Sequence, residues 1–89
     1  MANFPGGSAY AMVRDVAEGY LLVSDRTFQR LVAPEFDQLA FEIERHLREL
    51  RGDQAAVDDL AAIQQRNRRI QRLTGCLMMM RSYRQRRRV

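Results

Sequence analysis

Two apolar stripes at helical spacing, joined at Gly52-Asp53, constrain this chain more than any other feature. The first is Phe36, Leu39, Ala40, Ile43, Leu47 and Leu50. Steps of three and four place these residues on one face of a helix. Pro34 suits a first helical position, and Glu35 and Asp37 suit the positive end of the helix dipole. Glu44 to Arg48 and Arg45 to Glu49 lie four apart on the wet side, a spacing that supports a helix. The second stripe is Ala56, Leu60, Ile63, Asn67, Ile70, Leu73, Leu77 and Met80, and no proline interrupts it. Gly52 reads as the C-cap of the first helix and Asp53 as the N-cap of the second. So short a link makes the helices antiparallel neighbours. The predicted fold is all-α: an antiparallel helical hairpin, residues 34–51 and 54–85, with an N-terminal helical or partly extended segment packed on it.

The rest of the chain divides less sharply. Residues 1–8 read as a flexible lead, with one proline and two glycines and no periodicity. Ser8 can cap a helix. Ala9, Met12, Val13, Val16, Ala17 and Tyr20 follow at helical spacing, and Gly19 weakens or ends that helix. A hairpin of strands at 9–13 and 20–24 is the rival, because short apolar runs fit either state. Asp25 reads as the N-cap of a short helix from Arg26 to Val32, which Pro34 stops or kinks. The whole of 9–85 makes one helical domain, and 86–89 a basic C-terminal tail.

Helix lengths leave a surplus. Eighteen residues span about 27 Å and thirty-two about 48 Å. The second helix therefore overshoots the first by a stretch that is apolar nearly all round: Leu73, Cys76, Leu77, Met78, Met79 and Met80. Such a surface needs cover on every side. Residues 9–32 folding back are the first answer and a second copy is the next. A break at Gly75, leaving a strand, is the third. Asn67, Ile70, Leu73, Leu77, Met78, Met80 and Tyr83 are the candidate interface residues. Asn67 reads either as a registry residue in a helical seam or as a water-facing one, since straight helices drift against a heptad repeat.

Charge is distributed unevenly. The fifteen basic residues are all Arg, and eleven residues are acidic, a net of +4. Residues 1–59 hold six Arg and every acid, a net of −5, whereas residues 60–89 hold nine Arg and no acid, a net of +9. Arg66, Arg68, Arg69, Arg72, Arg81, Arg84, Arg86, Arg87 and Arg88 are thus the candidate polyanion-binding residues. Nucleic acid is the natural partner, because arginines that neutralise phosphates release counterions. The plain alternative is a solvated face whose arginines pair with Glu42, Glu44, Glu49, Asp58 and Asp59. No nucleic-acid motif sharpens the first reading, and Tyr83 suits a half-buried helix position better than a stacking platform.

Catalysis is not expected. His46, the sole histidine, stands near Glu42 and Glu49 with no nucleophile, metal set or phosphate loop. No cofactor and no metal are expected: Cys76 is the single cysteine, and successive methionines point in different directions on a helix. The apolar stretch is only about two turns long, which disfavours a membrane partner. Cytoplasm is the expected compartment, since one cysteine makes no internal disulfide. Two functions remain. One is a small non-enzymatic interaction or assembly protein, a homodimer or a protein's partner, associating through its Leu/Met-rich last helix. The other is a nucleic-acid-binding protein using the arginines of that helix.

Overall fold

A computed structural model describes residues 4–52 and 59–87. Four helices follow one another: α1 (Ala9–Glu18), α2 (Asp25–Gln29), α3 (Ala33–Gly52) and α4 (Leu60–Arg87). The described residues hold no strand, so the fold is all-α as the periodicity predicts. The expected cap at Asp53, helix start at Gln54 and stripe residue Ala56 lie outside the described residues, whereas Asp59, expected inside the last helix, stands before α4 and accepts from the Ala62 N–H at 3.1 Å.

Local chemistry sets the ends of these helices. The Ser8 hydroxyl accepts from the Ala11 N–H at 3.1 Å, satisfying one of the donors a helix start leaves open. Gly19 closes α1 at φ 83°, the left-handed conformation that glycine adopts without penalty. Residues 20–24, which fit strand or helix, are neither. Ser24 rather than Asp25 caps α2, and its N–H donates to Thr27 Oγ1 at 3.3 Å. That helix ends at Gln29 instead of Val32. Glu35 then reaches back to accept from the Val32 N–H at 2.9 Å, starting α3.

The lead departs from its expected flexibility at Phe4, which is buried behind a turn closed by the Gly7 N–H on the Phe4 carbonyl. Nor does the chain loosen into a tail at residue 86, because Arg86 and Arg87 are still helical.

α3 and α4 are antiparallel. Asp37 meets Arg84 near the start of α3, and Glu44 meets Arg81 further along it. α1 lies against both helices and runs with α3: the Tyr10 ring lies tilted beside His46, and Glu18 reaches Arg69. The stripe of α3 is buried at Phe36, Leu39, Ile43 and Leu47. It meets Met12, Val13, Val16 and Ala17 of α1 and Leu73, Cys76, Leu77 and Met80 of α4 in one core. Phe28, Phe36 and Tyr83 close the far end, with ring centroids 5.8–6.3 Å apart, a range in which aromatic pairs attract.

The surplus of α4 is covered in part by the first of the three answers, with Met78 and Met79 left exposed. Gly75 does not break the helix, whose twenty-eight residues span about 42 Å, nearly the molecule's longest extent of 45 Å. Residues 9–32 fold back over the apolar stretch, so Leu73, Cys76, Leu77 and Met80 are covered by the chain itself. The less covered part of α4 is its first three turns. There Leu60 and Asn67 are exposed and Ile63 and Ile70 only partly buried. None of the helices is long and apolar enough to cross a membrane among the described residues.

Candidate interaction face on the last helix

The arginines of α4 turn largely towards their own chain. Arg69 holds Glu18 with two nitrogens, at 3.1 and 3.3 Å. Arg72 donates to the Ala17 carbonyl at 3.0 Å, covering the negative end of α1. Arg81 reaches Glu44 at 3.1 Å and Arg84 reaches Asp37 at 3.0 Å. Arg84 also lies over the Phe36 ring, 5.3 Å from its centroid. One Arg86 nitrogen is shared between both oxygens of Asp25 at 3.1 Å. Arg87 lies 5.9 Å from the Tyr83 centroid. Arg66 is partly buried and Arg68 exposed, while Arg88 lies outside the described residues.

The unequal charge of the two halves is therefore an internal match. The acidic half of the chain supplies partners for the basic helix packed on it. Of the carboxylates expected in that role, Glu44 fills it; Glu42 pairs instead with Arg45 on its own helix, at 2.9 Å. Glu18, Asp25 and Asp37 complete the set. They come from α1, α2 and the start of α3, elements whose position over α4 was open in the sequence.

The candidate interface residues divide in the same way. Leu73, Leu77, Met80 and Tyr83 are buried in the chain's own core, and Ile70 packs against it. These five are spent on the fold, because α1, α2 and α3 already cover them. Asn67 and Met78 face outward, Met78 being 65 % exposed.

These two belong to a different stripe. Leu60, Gln64, Asn67, Gln71, Gly75, Met78, Ser82 and Gln85 are all exposed and follow at steps of three and four. That spacing puts them on one face along the length of α4. None carries a charge, although the helix is rich in arginine. Gln64, Gln71, Met78 and Gln85 recur every seventh residue, a signal present in the sequence but masked by the stronger apolar stripe on the opposite side.

Beside this face, the segment after α1 adds apolar surface. Leu21, Leu22 and Val23 border a groove of about 260 Å³ against Gln71, Gly75, Cys76 and Met79. Leu22 is 88 % exposed and Tyr20, at the segment's start, 82 %. Arg72 also lines the groove, and among the described residues no acidic one does. A Cβ at Gly75 would meet nothing within 4 Å, so the helix surface there is bare backbone open to approach.

The remaining reactive groups sit apart from this face or beneath it. His46 Nδ1 lies 2.9 Å from the Glu42 carbonyl oxygen, four residues back on the same helix. Cys76 is buried, and burial pushes its thiol up from 9.0 to about 11. Among the described residues, no group of three His, Cys, Asp or Glu residues is placed to hold a metal ion.

No protein family, curated protein or solved structure matches the chain.

Proposed function

We propose that this chain is a non-enzymatic helical interaction module that docks another helix on the outward face of α4. The observation that carries the reading is the inversion of that helix. Arg69, Arg81, Arg84 and Arg86 serve the chain's own carboxylates, and the helix's solvent side carries an uncharged strip with exposed Met78, bare Gly75 and the Leu22 shoulder. Exposed apolar side chains beside open backbone favour close packing by a partner. The Leu/Met stripe first assigned to association is the stabilising core of this module, and its opposite face does the docking.

Nucleic-acid binding is the second reading. Its support is Arg68, exposed beside Gln64, Asn67 and Gln71, side-chain types that hydrogen-bond base edges. Against it, Arg69, Arg81, Arg84 and Arg86 are engaged by carboxylates, which lowers the positive potential a polyanion would meet.

A photo-crosslinking side chain placed at 71, 78 or 82 tests the docking reading in cells that express the chain. Adducts heavier than the protein at those positions, and none at Arg48 on α3, support it. Adducts at none of the three positions overturn it.

A further inference from the structure

We infer that the helix docked on this face is α4 of a second copy, laid antiparallel about a two-fold axis between Thr74 and Gly75. This rests on the reading of the outward face as a docking surface, and it names the occupant.

The strip has the symmetry that such a pair requires. A two-fold contact brings one surface against itself, so its chemistry must be self-complementary. Around an axis between Thr74 and Gly75, Gln64 faces Gln85 of the second copy, Asn67 faces Ser82, and Gln71 faces Met78. Gly75 falls beside the axis, where the helices approach most closely and only a small side chain would fit. Carboxamides both donate and accept, so Gln64 and Gln85 can satisfy one another across the pair.

Charge permits the same occupant and selects its direction. Two helices this rich in arginine would repel if their charges met. Arg81 and Arg86 flank the strip, yet each is already paired with a carboxylate of its own chain. Arg72, next to Gln71, is turned onto the Ala17 carbonyl. Arg68 is the exposed exception, and antiparallel pairing sets it against Arg81, whose charge Glu44 offsets. Parallel pairing would set Arg68 against Arg68. The antiparallel arrangement thus minimises like-charge contact. The Leu22 and Met79 shoulders lie beside the axis, so both copies contribute apolar surface at the centre of the contact.

The contact is modest in size. The paired positions, 64 to 85, make a strip about 33 Å long and roughly 10 Å wide, a footprint of about 330 Å² on each copy. Twice that area is below the roughly 1,000 Å² that a stable interface clears, so the pair is weak and transient.

Cysteine pairing tests the arrangement. Cys76→Ala removes the native thiol. On that background, Gly75→Cys sits beside the axis and has room for its side chain. Mild oxidation should link it to its own copy, with roughly tenfold more dimer than an Arg48→Cys control, because a disulfide needs close Cα atoms. Gln71→Cys and Met78→Cys should link when mixed and not when oxidised separately. Gln71→Cys linking to itself would show parallel helices and overturn the inference. Linkage no greater than the control at every position would also overturn it. Photo-crosslinks at 78 to some other protein would then leave the docking reading standing without the dimer.

Discussion

The guanidinium of Arg72 faces the backbone of Gly19. A Cβ at Gly19 would lie 3.1 Å from Arg72 Cζ and 3.2 and 3.3 Å from its two terminal nitrogens. Arg72 Nη1 meanwhile donates to the Ala17 carbonyl at 3.0 Å. One arginine of α4 thus finishes α1, and the glycine leaves it room. Gly19→Ala combines that crowding with a left-handed backbone at φ 83°, and should cost about 1–2 kcal/mol. Arg72→Ala should cost about 1 kcal/mol through the lost hydrogen bond. The double variant should lose less than the sum, because removing Arg72 relieves the crowding. Urea unfolding of the three variants measures this directly.

Cys76 should be unreactive at neutral pH. It is buried, and its thiol is raised to about 11, so little thiolate forms. Iodoacetamide should modify it only after unfolding; rapid labelling of the native protein at pH 7.5 would contradict its burial. The same shift makes stability depend on alkaline pH. The native thiol holds its proton above 9.0, where an unfolded one releases it, so the favourable contribution is complete below pH 9. It is lost as pH rises towards 11, by about 2–3 kcal/mol in all. Cys76→Ala should flatten that part of the profile.

The ion pairs of α4 should be individually weak. The Arg81–Glu44 and Arg86–Asp25 side chains are about half exposed, and pairs of that kind contribute about 0–1 kcal/mol each. Replacing Glu18, Asp25, Asp37 and Glu44 together by Gln or Asn should lower stability by about 1–3 kcal/mol. The loss should shrink in molar salt, which screens such pairs. A change several times larger would mean that the pairs hold the bundle together.

That same variant separates the two functions. Neutralising four carboxylates raises the net charge from +4 to +8 and frees the arginines. The native chain should bind labelled duplex DNA or single-stranded RNA weakly near physiological salt, and the variant distinctly more tightly, with a steeper salt slope. Tight binding by the native chain in fluorescence anisotropy would instead favour the nucleic-acid reading.

How much of this was legible in the sequence follows from the range of each interaction. The α3 stripe from Phe36 to Leu47 and the stop at Gly19 are local, set by periodicity and by one glycine, and both stand in the structure. The charge division was equally plain, yet its partners were not. Arg86 meets Asp25 across sixty-one positions, and no local pattern encodes such a distance. Tyr20 and Tyr83 show the same limit. Both sit at helical spacing; Gly19 ends α1 before Tyr20, which is left exposed, whereas α2 and α3 meet over Tyr83 and bury it. The candidate face was hidden for a related reason. The apolar side of α4 needs cover, and only the packed positions of α1 and α2 decide that the chain itself supplies it at Leu73, Cys76, Leu77 and Met80.

The most direct test of the docking face is the protein's mass by sedimentation equilibrium, for the native chain and for Met78→Glu. The predicted result is a mass rising from 10.4 kDa towards twice that value as concentration increases, with Met78→Glu remaining monomeric and as helical as the native chain. A native mass of 10.4 kDa at every concentration, or a dimer untouched by Met78→Glu, would contradict self-association through this face.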